Sequence, residues 1–140
     1  AVKYAFLKQR MGGDIIYSPE ESVSITGNSG PYLQYAHARA KSISSKSQSS
    51  SSYSGDESEV PLLKKLAEYK NVVARSVEEM MPHHVANYLF ELAQVFNSFY
   101  EKERVIGSDR EADRIRLVEA YAQVLKNGLS ILGIKAPDRM

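Results

Sequence analysis

Residues 82–101 read PHHVANYLFELAQVFNSFYE and carry the strongest helical pattern in the chain. Their large apolar side chains recur at intervals of three and four residues: Val85, Tyr88, Leu89, Leu92, Phe96, Phe99 and Tyr100. That interval places them on one face of an α-helix. A proline is tolerated in the first turn of a helix, because its missing N–H is not needed there. We therefore predict a long helix that begins at Pro82 and is ended by Gly107.

Three more helices are predicted after residue 60. Their apolar faces are Leu62, Leu63, Leu66 and Tyr69; then Val72, Val73 and Val77; then Ile115, Val118, Ala122, Leu125 and Leu129. Pro61 would lie in the first turn of the first helix, and Asn71 and Ser108 could cap the other two. Helices with one apolar face each bury it in a bundle. We expect the four helical stretches after residue 60 to share one core.

The first part of the chain adds two predicted helices. One covers residues 2–11 and is ended by Gly12 and Gly13. A short extended piece follows at residues 15–17, and residues 18–31 are predicted to be a structured loop. The second helix begins at Pro31 and runs to about Ile43. The fold class predicted for the chain is therefore all-α, a helical bundle of about five or six helices.

A serine-rich run lies between the two halves. Residues 42–54 contain nine serines, and such a segment cannot bury enough apolar surface to offset the entropy lost on ordering. We predict a flexible loop over residues 42–59. Its acidic end, residues 56–59, suits the positive N-terminal end of the next helix dipole.

Composition excludes several classes of site. The 140 residues carry a net charge of +1 and no cysteine, so there is no disulfide, no thiolate zinc site and no strong field towards nucleic acid or membrane. No apolar run approaches the ~20 residues of a membrane span, and no signal peptide is visible. These features are compatible with a cytoplasmic location. The chain opens at Ala1 without an initiator methionine, and we expect it to be part of a longer protein.

Histidines, serines and glycines offer weak candidate sites. His83 and His84 are adjacent, so their side chains should point about 100° apart on a helix; helix-cap or surface roles are favoured for these and for His37 over a metal site. No serine lies in a recognisable catalytic motif. The segment from Thr26 to Gly30 lacks the lysine and hydroxyl of a phosphate loop. It indicates a tight turn into a helix, whose free amides could still contact an RNA phosphate.

Tyr32, Tyr35 and Arg39 form a more informative stripe. They occur at positions i, i+3 and i+7 of one predicted helix, which places two phenols and a guanidinium along one side. Single-stranded RNA is bound by stacking bases on such planes. A tyrosine pair at this spacing is, however, more often half-buried core.

Three segments resemble signatures of arginyl-tRNA synthetases. They are GNSGPYLQYAHAR at residues 27–39, PHHVANYLFELAQVFNSFYE at residues 82–101, and the ending LGIKAPDRM at residues 132–140. They occur in the family's order and include the end of the chain. The resemblance implies the DALR-type anticodon-binding domain of a class I synthetase, with the anticodon loop of tRNA(Arg) and the catalytic domain of the same chain as partners, and neither membrane nor DNA. Residues 18–140 would be this domain, and residues 1–17 a linker helix and short extended piece from the preceding catalytic region.

The resemblance also implies RNA-binding residues. Tyr32, Tyr35 and Arg39 should lie against the anticodon, and Asn97, Tyr100 and Met140 should complete the pocket. Ser29 stands where many relatives have threonine, a change that keeps the hydroxyl. The family's catalytic motifs, of the His-Ile-Gly-His and Lys-Met-Ser-Lys-Ser types, do not occur in these residues. We expect the chain alone to be inactive as an arginine–tRNA ligase and to hold no cofactor, since ATP and Mg belong to the missing catalytic domain.

Other classes stay open from the sequence. The chain could be a helical protein-interaction or structural domain without RNA binding, in which case Tyr32 and Tyr35 would be core residues. A small stand-alone enzyme is disfavoured by the missing motifs. The equivalent domain of another class I synthetase, such as the cysteinyl or glycyl type, is disfavoured by the segments 30–39 and 134–140.

Overall fold

The computed structural model describes residues 1–45 and 53–140, and these fold as an all-α bundle. The helices of this part of the chain are α1 (Val2–Leu7), α2 (Pro19–Ser22), α3 (Gly30–Ser44), α4 (Val60–Ala67), α5 (Tyr69–Glu78), α6 (His83–Lys102) and α7 (Glu111–Ile131), with a 3₁₀ turn at Glu57–Glu59 before α4. Six of these α-helices exceed a single turn, α2 being the exception. The predicted fold class is confirmed.

Helix α6 forms the centre of the core. Its buried face is the one predicted from residue spacing, and Phe96 stacks on Tyr121 of α7 with ring centroids 3.9 Å apart. Helix α3 packs mainly along α7. The expectation that four helices after residue 60 share the core is wrong in one respect. Helix α5 has no buried residue and contacts the core only through the partly buried side chains of Tyr69, Val72 and Val73. Its place is taken by α3.

Several predicted helix boundaries are wrong. Helix α1 ends at Leu7 rather than residue 11, and α6 ends at Lys102 rather than Gly107. Asn71 lies inside α5, because α4 and α5 are separated by Glu68 alone. Ser108 caps nothing: its hydroxyl donates to the Val105 carbonyl, and α7 begins at Glu111. The glycine and capping signals in the sequence therefore did not locate these helix ends.

The loop before α3 is partly helical. Ser18 caps α2 by accepting a hydrogen bond from the Glu21 amide at 3.3 Å, while residues 14–18 have no regular secondary structure. No helix in residues 1–45 or 53–140 has both the length and the apolar character that crossing a membrane requires.

The prediction of a flexible loop over residues 42–59 is wrong at both of its ends. Residues 42–44 form the last turn of α3, and the part from Tyr53 to Glu59 is tied to α7. Ser54 donates to the Asp113 carboxylate at 3.1 Å, and Arg110 donates back to the Ser54 carbonyl at 2.5 Å. Residues 46–52 lie outside the described part of the chain.

Glu59 explains why this segment is ordered. Its carboxylate is fully buried and accepts hydrogen bonds from Arg110 at 3.0 Å and from the Tyr53 hydroxyl at 2.6 Å. The Arg114 guanidinium lies 3.6 Å away. A buried carboxylate is tolerated only when it is paired and hydrogen-bonded. Tyr53 lies within the serine run, six residues before Glu59. Both arginines lie more than fifty residues after Glu59, so the composition of the serine run gives no sign of them.

We expect Glu59→Gln to lower the free energy of unfolding by about 3 kcal/mol, because it leaves two arginines facing a neutral amide in a buried cluster. The matched control is Glu68→Gln, whose carboxylate pairs with Lys65 but is 52% exposed; it should cost less than about 1 kcal/mol. Urea unfolding measures both. Equal losses in the two variants would contradict the assignment of Glu59 as a buried anchor.

Candidate nucleic-acid interface

The start of α3 is fixed by a cap and by a close contact. The Ser29 hydroxyl accepts a hydrogen bond from the Tyr32 amide at 3.1 Å. Gly30 lies against α1, where an added Cβ would be 3.1 Å from the Cβ of Tyr4. Tyr4 is itself buried, and its hydroxyl donates to Asn28 at 2.6 Å or to the Ala86 carbonyl at 3.0 Å. The Tyr32 amide is therefore engaged by the Ser29 cap, and Pro31 has no N–H, which leaves few amides in this first turn for an RNA phosphate.

The tyrosine stripe divides into a packed and an exposed member. Tyr32 is half-buried and meets Phe90 edge to face, with centroids 5.7 Å apart. The Asn97 amide donates a hydrogen bond to the Tyr32 hydroxyl at 2.9 Å. Tyr35 is 44% exposed. The stripe therefore follows the core expectation at Tyr32 and the binding-surface expectation at Tyr35.

Arg39 is exposed but held in place. Its guanidinium carbon lies 4.8 Å from the centroid of the Tyr100 ring, a cation–π geometry. This contact joins α3 to the end of α6. Within residues 1–45 and 53–140 the Arg39 guanidinium forms no hydrogen bond or ion pair, so its N–H donors are available to a ligand.

Two adjoining cavities meet at Tyr35 and Arg39. The larger, of about 820 Å³, is also lined by Tyr100 and Met140. The smaller, of about 240 Å³, is lined by Tyr32 and Asn97 as well. The structure thus brings all six predicted site residues to one surface, although they come from α3, α6 and the end of the chain. We call the two cavities together the α3 cleft.

Residue spacing alone missed the charges around the larger cavity. Lys41, Asp138 and Arg139 also line it. With Arg39 they make three cationic side chains against one acidic side chain, so the side chains of this lining sum to a positive charge although the net charge of the chain is only +1. The position of Lys41, six residues after Tyr35, gives no signal by itself; Arg139 lies in the terminal segment that resembles the synthetase ending.

The histidines differ from expectation. His37 is fully buried rather than a surface or cap residue, with its Nδ1 2.8 Å from the Pro137 carbonyl. The rings of His83 and His84 do not diverge: their centroids lie 4.2 Å apart. His84 meets the Glu79 carboxylate at 2.5 Å. Within the described ranges there is no group of three metal-ligating side chains.

Residues 33–140 match the family model of the DALR anticodon binding domain. The matched region contains five of the six predicted site residues, all except Tyr32. The chain belongs to the DALR anticodon-binding domain family.

The proteins similar to this chain are named arginine–tRNA ligases or arginyl-tRNA synthetases. The arginine–tRNA ligases of Shewanella amazonensis and Clostridium botulinum are 38% and 36% identical to it over its whole length. The arginyl-tRNA synthetase structure from Thermus thermophilus superposes with a TM-score of 0.91 at 30% identity over 99% of the chain. In each case this chain spans 26% of the length of the relative.

The hydrogen bond between Asn97 and Tyr32 can be tested in this DALR domain by titration. Burial raises the pKa of Tyr32 above its ordinary value, while the Asn97 hydrogen bond and the Arg39 charge act to lower it. Donation to the phenol oxygen favours the phenolate. We therefore expect Asn97→Leu to raise the Tyr32 pKa further, measured by NMR of ¹³Cζ-labelled tyrosine with Tyr32→Phe for assignment. Asn87→Leu, an exposed site on the same helix, should leave it unchanged; an unmoved pKa in Asn97→Leu would refute the hydrogen bond in solution.

Proposed function

We propose that this chain recognises the anticodon loop of tRNA(Arg), as the C-terminal anticodon-binding domain of an arginine–tRNA ligase. The observation that carries the proposal is the placement of Tyr35. It is an exposed aromatic ring shared by both cavities, with a guanidinium beside it and further cations around it. The family of the chain and the names of its relatives support the same ligand.

Each cleft residue has a chemical role in this proposal. Tyr35 offers a stacking face to an unstacked base, a contact that contributes about 1–3 kcal/mol per base in single-strand binding. Arg39, already oriented by Tyr100, pairs with a phosphate or the edge of a base. Met140 supplies an adaptable apolar contact. These three act in the larger cavity.

The smaller cavity offers hydrogen bonding. Tyr32 uses its oxygen to accept from Asn97, so its own hydroxyl proton is directed to another acceptor. The Asn97 carbonyl oxygen remains an acceptor. A base that offers both a donor and an acceptor on its edge would therefore match this pair.

The activity proposed for the complete ligase is ATP-dependent aminoacylation in the cytoplasm. ATP and Mg would be bound by the catalytic domain, which belongs to the remaining length of the relatives. An exposed apolar group fits a contact with that domain. It comprises Phe6 and Tyr17, which stack with centroids 5.9 Å apart, and Ile15 and Ile16, which are 47% and 87% exposed. Exposed apolar side chains in contiguous groups mark interaction surfaces.

The first experiment is a titration with labelled RNA. We expect this chain to bind an arginine-tRNA anticodon stem-loop more tightly than a stem-loop whose middle cytosine is changed, at one fixed salt concentration. Tyr35→Ala should weaken binding about tenfold, the size of one lost stacking contact. Tyr17→Ala is the matched control, because Tyr17 is 40% exposed and lines neither cavity; it should bind as the unaltered chain does.

Other results would lead elsewhere. Equal binding to both loops would mean that the RNA is bound through charge alone. It would contradict the roles proposed for the six predicted site residues. No binding to either loop would favour the helical protein-interaction domain, to which the packing of Tyr32 on Phe90 would then belong.

The purified chain should also show no arginine-dependent exchange of pyrophosphate into ATP. The physical reason is that adenylate formation requires groups that hold ATP and polarise its phosphates, and the motifs that do this in class I synthetases are absent from its sequence. The measurement is the exchange assay, with a complete arginine–tRNA ligase as positive control. Exchange above the level of a mock purification would overturn this assignment of catalysis to another domain.

A further inference from the structure

The last residues of the chain form an extended segment that returns across α3. Helix α7 ends at Ile131, and Gly133 adopts a positive φ of 65° that turns the chain. The Ile134 amide then donates to the Leu129 carbonyl at 2.9 Å. From there residues 134–137 have no regular secondary structure, and we call residues 133–140 the tail.

Side chains from two helices bind alternate carbonyls of the tail. Lys3 donates to the Gly133 carbonyl at 2.8 Å, and Gln34 donates to the Lys135 carbonyl at 2.7 Å. The Pro137 carbonyl lies 2.8 Å from the Nδ1 of His37. The side chains of the residues between them, Ile134 and Ala136, pack on the core. This period of two is that of an extended strand, so the tail is held in one register.

The hydrogen bond to the Pro137 carbonyl fixes the tautomer of His37. A carbonyl oxygen can only accept, so the Nδ1 of His37 must carry the proton. The ring is fully buried, and its Nε2 has no hydrogen-bond partner among the residues that the structure describes. A buried ring nitrogen without a partner costs free energy. The sequence position of His37 is therefore not explained by packing alone, since an apolar residue would avoid that cost.

The same turns of α3 carry the cleft. Tyr35 and Arg39 flank His37 in sequence and line the larger cavity, which is also lined by Arg139 and Met140 of the tail. Pro137 lies three residues before the chain end. A slip of the tail by two residues would move Met140 by about 7 Å, the rise of two extended residues. That displacement would change which part of the tail lines the cavity beside Tyr35 and Arg39.

We propose that Gln34 and His37 are positioning residues of the α3 cleft, which fix the register of the tail so that Met140 lines the larger cavity with Tyr35 and Arg39. They touch no ligand and act through the tail. Lys3 holds only the start of the tail at an exposed site. The link to RNA selectivity rests on the proposed function, whereas the position of Met140 in the free protein does not.

The test in the free protein uses methyl NMR. The chain has four methionines, and Met140→Leu identifies the Met140 signal in a sample with ¹³C-labelled methionine methyl groups. We expect His37→Leu and Gln34→Leu each to sharpen that signal and move it to its disordered-chain position. His37→Asn keeps an N–H donor near the place of Nδ1 and should retain the signal. Gln123→Leu is the control, since Gln123 is exposed and donates only to Asn127 in the described chain.

An unmoved Met140 signal in both His37→Leu and Gln34→Leu would overturn the proposal. Gln34 is the less buried of the two, so Gln34→Leu keeps the test decisive even if His37→Leu fails to fold by circular dichroism.

The second test uses the two stem-loops. We expect the ratio of their affinities to fall about fivefold in Gln34→Leu, within the net contribution of one hydrogen bond, and to recover in His37→Asn relative to His37→Leu. A displaced Met140 signal with an unchanged ratio would overturn the positioning role. If the unaltered chain binds neither loop, the proposed function fails, and the methyl spectra alone decide whether Gln34 and His37 hold the tail.

Discussion

The cleft depends on the stacking of Phe96 against Tyr121. The rings are nearly parallel, at 4°, and their centroids lie 3.9 Å apart, which joins α6 to α7 at the centre of the core. The Tyr121 hydroxyl is buried without a hydrogen-bond partner in the described residues, a cost that the ring packing has to offset. Phe96 also stacks on Tyr100 at 6.1 Å and lines the smaller cavity. One ring therefore connects the packed interior to the candidate site.

The site is assembled from three distant parts of the chain, and each is held by a different kind of contact. Helix α3 is set by the cap at Ser29 and the close approach of Gly30 to Tyr4. The end of α6 is set by core packing around Phe96. The tail, which has no helix or sheet of its own, depends on hydrogen bonds from α1 and α3. Because an extended segment buries little apolar surface, its position is the least secured of the three by packing.

The features that could be predicted from the sequence alone are those that depend on residues close together in the chain. The spacing in α6 gave its buried face, and Pro31 marked the start of α3 within one residue. Features that depend on distant partners could not be found in this way. Glu59 is buried because Arg110 lies beside it, and His37 is buried because Pro137, a hundred residues later, covers it. Periodicity indicated only Tyr32, Tyr35 and Arg39. The other three predicted site residues came from the resemblance of whole segments to a known family.

The charge of the chain shows why composition was a poor guide to the surface. A net charge of +1 argued against nucleic acid, yet many carboxylates are neutralised locally by cations: Glu59 by Arg110, Glu79 by Arg75, Glu91 by Lys65 and Glu103 by Arg114. Three cationic side chains line the α3 cleft, and Asp138 is the single acidic side chain among its lining residues. A polyanion responds to the field at the surface it approaches, and that field falls off within about 10 Å at ordinary ionic strength. The distribution of charge, rather than its sum, therefore decides whether this domain can attract RNA.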